Sequence, residues 1–394
     1  MSSHKKYVDK AFAKQLPSAF IVASPFQLLC AIEAIHEFEI EKYRIAFILE
    51  RNSPRNQQMY AMAKKYGIEY DVYWMGEGLQ DYNTHTGDFA NDEKNAYARI
   101  FIGDYYPIMY NKYAAIYGQK GAVMQYMDDG NSTILFLKGV YKAPKPKNWR
   151  KRLSWYRNRI EEKRKIANDL EKRYGVHESN CFFTIYDNIT SKKFHIYPNR
   201  LSYVQGLANQ QSKIKNNTIL IVGTIPQVIA EEVYHVPLSL IEAIHWQKFE
   251  EIRNKYPNDK IVYIPHNRDN NQIIPKFCSM LNIEYRIIDE PIEIYTLKSD
   301  IIPIAIYGFR SSALMVFNRM FPYVEITSWE IMHSSRGNED RNHRVINEYY
   351  KGAGIKEEII WLPKGSKIKQ VGTGFCDNVK SILGLIIDKI AGKK

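Results

Sequence analysis

The feature that most constrains this chain is an alternation that runs twice. Short, uniformly apolar, β-rich runs are separated by longer amphipathic stretches. The first series reads strand at 19–24 (AFIVAS), helix at 25–38 with Pro25 at its first position, strand at 44–50, helix at 56–67 closed by glycine and strand at 68–75. Further strands are expected at 114–118 and 122–129. After the polar stretch NQQSKIKNN (209–217) the alternation restarts. Strands are expected at 218–223, 260–266, 284–289 and 301–309, with a last one at 323–327. Helices are expected between them at 237–256, 274–282, 292–297 and 311–320. Strands apolar on both faces belong to a parallel sheet covered on both sides. The expected class is therefore α/β, with two doubly wound Rossmann-like domains facing across a cleft. The expected bounds are 1–212 for an N-terminal, acceptor-side domain, 213–370 for a C-terminal, nucleotide-sugar-binding domain, and 371–394 for an amphipathic helix crossing back.

A chain of 394 residues exceeds one small core. Its net charge of +12 is local. Between Lys142 and Arg173 thirteen Lys/Arg face four acids, a surplus of nine. Leu153, Tyr156, Ile160, Ala167, Leu170 and Tyr174 mark an apolar stripe there, so 150–174 reads as a helix with a basic outer face, inserted in the first domain. Such a patch implies an anionic partner: an anionic or lipid-linked glycan, an anionic membrane contacted peripherally, or nucleic acid. The four cysteines form no C-x-x-C pair, which argues against a metal site or disulfide framework. Neither a secretory leader nor a membrane-spanning run is present, so a cytoplasmic location is expected, with peripheral contact at the inner membrane face. Val379, Ile382, Leu383, Ile386, Ile387 and Ile390 give the final helix its apolar face.

Four features fall at strand carboxyl ends, where open α/β sheets bind ligands. Asp128-Asp129-Gly130 ends the run at 122–129, and a carboxylate there suits a general base. His266, flanked by Pro265 and Asn267, follows the strand at 260–266 and can donate to a phosphate. Gly308, Arg310, Ser311 and Ser312 form a strand-to-helix turn whose N–H groups and hydroxyls suit an anion. Gly223-Thr224 ends the first strand of the second series, and Ser24 and Gln27 occupy the corresponding loop of the first. Glu290 and Glu293 open a helix where a carboxylate can hold ribose hydroxyls. Each feature has a plainer reading: a turn, a loop histidine, a serine cap, an exposed helix-start acid.

Asp128-Asp129-Gly130, His266 and Ser311-Ser312, in that order, resemble the motifs of bacterial sialyltransferases. The likeness is to the family 52 and family 38 glycosyltransferases, the lipooligosaccharide sialyltransferases and capsular polysialyltransferases. ASPFQLLCAIEA (23–34) is similar to their opening strand, loop and helix. The family's His-Pro is replaced here by His266-Asn267, with Pro265 before it. The resemblance implies a GT-B fold, a CMP-sialic acid or related CMP-nonulosonate donor, and inversion without metal or other cofactor. It implies one of Asp128 and Asp129 as base, Asp129 being first choice, and His266 as donor to the leaving phosphate. Ser311 and Ser312 would hold that phosphate and Glu293 the ribose. Gly223, Thr224, Gly308, Arg310, Pro265 and Asn267 would line the nucleotide pocket, and Ser24 and Gln27 would touch sugar. Two rival readings stay open: another donor (CMP-Kdo, CMP-pseudaminic or legionaminic acid, a UDP or GDP sugar), and a basic nucleic-acid-binding protein without catalysis. No nucleic-acid-binding motif appears, so the enzyme reading is preferred.

Overall fold

The computed structural model describes residues 3–75, 96–103, 108–140, 170–210, 218–234, 236–298, 303–333 and 341–362. The chain divides into two compact units: residues up to Ala208 together with Asp289–Pro291, and the remainder.

Unit 1 begins with helix α1 (Ser3–Ala11). Strand β1 (Ser18–Val22), helix α2 (Pro25–Glu37), β2 (Tyr43–Leu49), α3 (Pro54–Lys65) and β3 (Tyr70–Trp74) follow. Next come β4 (Tyr97–Ile102), α4 (Ile108–Tyr117), β5 (Gly118–Met127) and α5 (Ser132–Leu137). β6 (His177–Thr184), β7 (His195–Pro198) and α6 (Ser202–Gln210) complete it. The seven strands are ordered β3-β2-β1-β4-β5-β6-β7, and every pairing is parallel. All residues of β1 and β4 are buried. This is why their sequences are apolar throughout rather than alternating.

Unit 2 contains β8 (Thr218–Val222), α7 (Leu238–Lys255), β9 (Lys260–Ile264), α8 (Ile274–Met280), β10 (Glu284–Tyr285) and α9 (Ile292–Lys298). It continues with β11 (Pro303–Phe309), α10 (Ser312–Met320), β12 (Glu325–His333), α11 (Arg341–Gly352) and β13 (Lys356–Leu362). Its six parallel strands are ordered β10-β9-β8-β11-β12-β13. Ile219, Ile221, Phe249, Phe277 and Trp329 sit in its core.

Each unit is thus a doubly wound α/β sheet. In both, the strand order reverses next to the first strand, between β1 and β4 and between β8 and β11. Loops leaving the carboxyl ends of those strands form the crevice in which this architecture binds ligands.

Several expectations are corrected. Residues 114–117 are not a strand but the last turn of α4, since Ala114 and Ala115 continue the helix begun at Ile108, and Gly118 opens β5. The strand that lies there in the sheet is β4, which the apolar pattern hides because Arg99 interrupts it. Arg99 is nevertheless fully buried. Its guanidinium donates to Ser18 Oγ (2.9 Å), Ala11 O (2.9 Å) and Ala13 O (2.7 Å), and it packs over the Phe38 and Phe101 rings. Residues 284–289 pair only over Glu284–Tyr285. The strand at 323–327 extends to His333 and is not the last, because α11 and β13 follow. Of the basic stretch 142–174 only a single π-helical turn, Leu170–Tyr174, is among the described residues. The C-terminal helix of 371–394 lies outside them. No described helix is long and apolar enough to cross a membrane.

Candidate functional site

Two groups of side chains, one per unit, gather at the strand carboxyl ends. In unit 1 the first is the loop after β1. Ser24 is extended (φ −146°) and its hydroxyl accepts from Gln27 N–H at 3.2 Å, capping α2 with Pro25 in the first turn. This holds Gln27 at 2% exposure beneath the loop. Its Oε1 accepts from Ala23 N–H (2.7 Å), and its Nε2 donates to Asp129 Oδ1 (2.8 Å).

Asp128 and Asp129 part company at the end of β5. Asp128 is fully buried; it accepts from Thr184 Oγ1 at 2.5 Å and from Ile185 N–H at 2.8 Å. These bonds tie the end of β5 to that of β6. Burial pushes its carboxyl up to about 7, against the pull of those donors. Asp129 is half-buried. Besides Gln27 it meets the Ser132 hydroxyl at Oδ2 (3.2 Å), and its N–H donates to Thr133 Oγ1 (2.9 Å). Burial also raises its carboxyl, while Gln27, Ser132 and the Arg55 charge oppose the rise. Gly130 has φ +61°, the left-handed turn that carries the chain from β5 into α5. Side chains alternate along a strand, so adjacent carboxylates reach opposite sides. Asp128 is an anchor, and Asp129 is the member of the pair that a ligand can reach.

In unit 2, β8 and β9 end in close contact. A Cβ on Gly223 would lie 2.6 Å from Ile264 O and 2.7 Å from Pro265 Cα, so only glycine fits. Thr224 Oγ1 is buried, and among the described residues it has no hydrogen-bond partner. His266, with Pro265 and Asn267, is half-buried in the loop after β9. Its Nδ1 accepts from Arg268 N–H at 3.2 Å, so the neutral ring carries its proton on Nε2, the form that donates there.

Gly308 pairs with Val222 at the strand-order reversal, and a Cβ on it would come within 2.9 Å of Val222 O. Ser311 caps α10: it is extended (φ −137°), and its hydroxyl accepts from Ala313 N–H at 3.3 Å. Ser312 is the first helical residue. Arg310 is committed elsewhere. It donates to Asn347 Oδ1 (3.0 Å) and pairs with Glu330 at 3.3 Å, a carboxylate 2% exposed. Its charge is balanced within the unit by that carboxylate. Glu293, in the first turn of α9, is 7% exposed, and burial pushes its carboxyl up to about 7. The exposed helix-start acid is thus the wrong picture for it. Glu290 is also buried, but in unit 1, where its carbonyl accepts from Gln58 Nε2 at 3.2 Å.

Sequence reading misses Thr184, Ser132, Thr133, Arg55, Glu330 and Asn347, which lie outside any motif. It also misses Gly103, because β4 itself is hidden.

No protein-family model matches the chain, and no curated protein sequence does. Two of the solved structures that resemble it do so at low TM-score. One is the crystal structure of Acinetobacter baumannii MurG, with TM-score 0.40 and 8% identity over 88% of this chain and 85% of that one. The other is the crystal structure of LpCGTa in complex with UDP, with TM-score 0.45 and 8% identity over 93% of this chain and 90% of that one.

Proposed function

We propose that the chain is a GT-B glycosyltransferase that moves a nonulosonic acid such as sialic acid from its CMP-activated donor to a sugar hydroxyl, with inversion. The observation that carries this is the division of labour within Asp128-Asp129-Gly130. One carboxylate is sealed in as an anchor, and the other is accessible and held by a buried amide at the strand-order reversal. In the transfer, Asp129 takes the proton of the acceptor hydroxyl as its oxygen bonds to the anomeric carbon. The bond from that carbon to the CMP phosphate breaks, and the electron pair leaves with the phosphate. His266 Nε2–H donates to the departing oxygen. The Ser311 and Ser312 turn, at the amino end of α10, stabilises the charge that grows there. Thr224, with its buried unpartnered hydroxyl, and Glu293 contact the nucleotide.

The charge surplus over 142–174 draws an anionic acceptor or the anionic inner leaflet, where each Lys/Arg contributes about 1 kcal/mol. Flotation with anionic vesicles at low and high salt tests the latter.

A thermal-shift panel of CMP, UDP, GDP and a short oligonucleotide tests the donor. CMP at a hundred times its Kd should stabilise the folded protein by about 2.7 kcal/mol. No shift with CMP, or a shift with the oligonucleotide alone, overturns the reading. Release of CMP from CMP-sialic acid in the presence of glycan acceptors then tests the transfer itself.

A further inference from the structure

Gln27 is a buried polar side chain in direct contact with Asp129. It is 2% exposed. Its carboxamide has one readable orientation. Ala23 N–H is a donor and must face the amide oxygen, at 2.7 Å. The amino group therefore faces Asp129 Oδ1, at 2.8 Å. A flipped amide would set donor against donor and acceptor against acceptor. The space that Gln27 fills is kept open from β4. Gly103 follows that strand, and its N–H donates to Ile21 O at 3.0 Å. A Cβ on Gly103 would lie 2.4 Å from Gln27 Cδ, nearer than any real contact.

The two oxygens of Asp129 are consequently unlike. Oδ1 accepts the hydrogen bond from the Gln27 amide at 2.8 Å. Among the described residues Oδ2 meets only the Ser132 hydroxyl, at 3.2 Å, and that hydroxyl already donates to the Asp129 carbonyl at 2.5 Å. Among the described residues, the charged groups that act on this carboxylate are the Arg55 guanidinium from α3 and Asp128 beside it.

We propose that Gln27 is the positioning residue of Asp129: its amide holds Oδ1 as an acceptor, Gly103 preserves the room for it, and Oδ2 is left as the oxygen that receives the acceptor's proton. Gln27 thus acts through Asp129 and does not touch sugar, in contrast to the role expected of it from sequence. The part played by Oδ2 rests on the function proposed above; the hold on Oδ1 does not.

The test is a carbon-13 NMR titration of aspartate carboxyls in the full chain, with Asp129 assigned by the signal lost in Asp129→Asn. Gln27→Glu keeps the shape of the side chain but turns the donor into a second acceptor. Its expected effect is a rise in the Asp129 midpoint by about one unit or more, as happens when two carboxylates share a site. Gln27→Met removes the donor and should raise the midpoint by less. Gly103→Ala, which crowds the amide, should shift it in the same direction. The acid limb of the transfer-rate profile should move with the midpoint in each variant. An unchanged Asp129 midpoint in folded Gln27→Glu and Gln27→Met overturns the assignment. The titration needs no substrate, so absence of any transfer activity would sink the functional reading and leave this one to be decided by NMR alone.

Discussion

Asp128 Oδ1 accepts a 2.5 Å hydrogen bond from Thr184 Oγ1, joining the ends of two neighbouring strands through a side chain that solvent does not reach. Asp128→Ala leaves this hydroxyl and Ile185 N–H without their acceptor. The expected cost is about 1–3 kcal/mol of stability for a buried group left unsatisfied, measured by urea denaturation.

Asp129→Asn should show the opposite pattern. Stability stays near wild type while turnover falls by ~10²–10⁴-fold, the usual range for loss of a general base. A folded Asp128→Asn protein that loses turnover as completely, beside an active Asp129→Asn, would reverse the two roles.

The pH dependence of unit 1 follows from its raised carboxyls. Asp128 and Glu33 both titrate near 7 in the folded protein, chiefly through burial, against ordinary values of 3.8 and 4.5. Between the two values the folded state binds more protons than the unfolded state. Stability therefore falls as pH rises from about 4 to 7 and levels off above. Denaturation at pH 5 and pH 8 should show the drop in wild type and a smaller one in Asp128→Asn. A stability that climbs over this window contradicts the assignment.

The paired serines should separate. Ser311 caps α10 through its hydroxyl, so Ser311→Ala should cost about 1 kcal/mol of stability. Ser312→Ala should leave stability unchanged and raise the KM for donor. Calorimetric unfolding and donor saturation curves measure the two effects.

Gly223→Ala sets a methyl group 2.6 Å from Ile264 O, so β8 and β9 must part. The expected loss is about 1–3 kcal/mol, typical of overpacking, together with weakened nucleotide binding. Titration of CMP into the folded variant reads the second effect directly.

Strands buried on both faces announce themselves as unbroken apolar runs, which is why β1, β2, β8, β9 and β11 were legible along with the helices between them. β4 was not, because Arg99 reads as surface. Only the folded protein shows its charge enclosed by carbonyl oxygens and two phenyl rings. The placement of the DDG, His266 and Ser-Ser motifs at strand ends was legible. Which aspartate is sealed in was not, since that depends on Thr184, which comes 56 residues after Asp128. The same holds for Gly103, whose meaning is a missing Cβ beside Gln27. The pairing of Arg310 with Glu330 was not legible either, because Glu330 lies on a later strand.

Unit 1 is completed by three residues, Asp289–Pro291, that arrive long after its main stretch has ended at Ala208. A gene fragment stopping at that alanine would encode seven strands and still lack the carbonyl that Gln58 reaches. Halves of this protein made separately for biochemistry should therefore be cut so that the short return segment travels with the first half, even at the expense of sequence continuity.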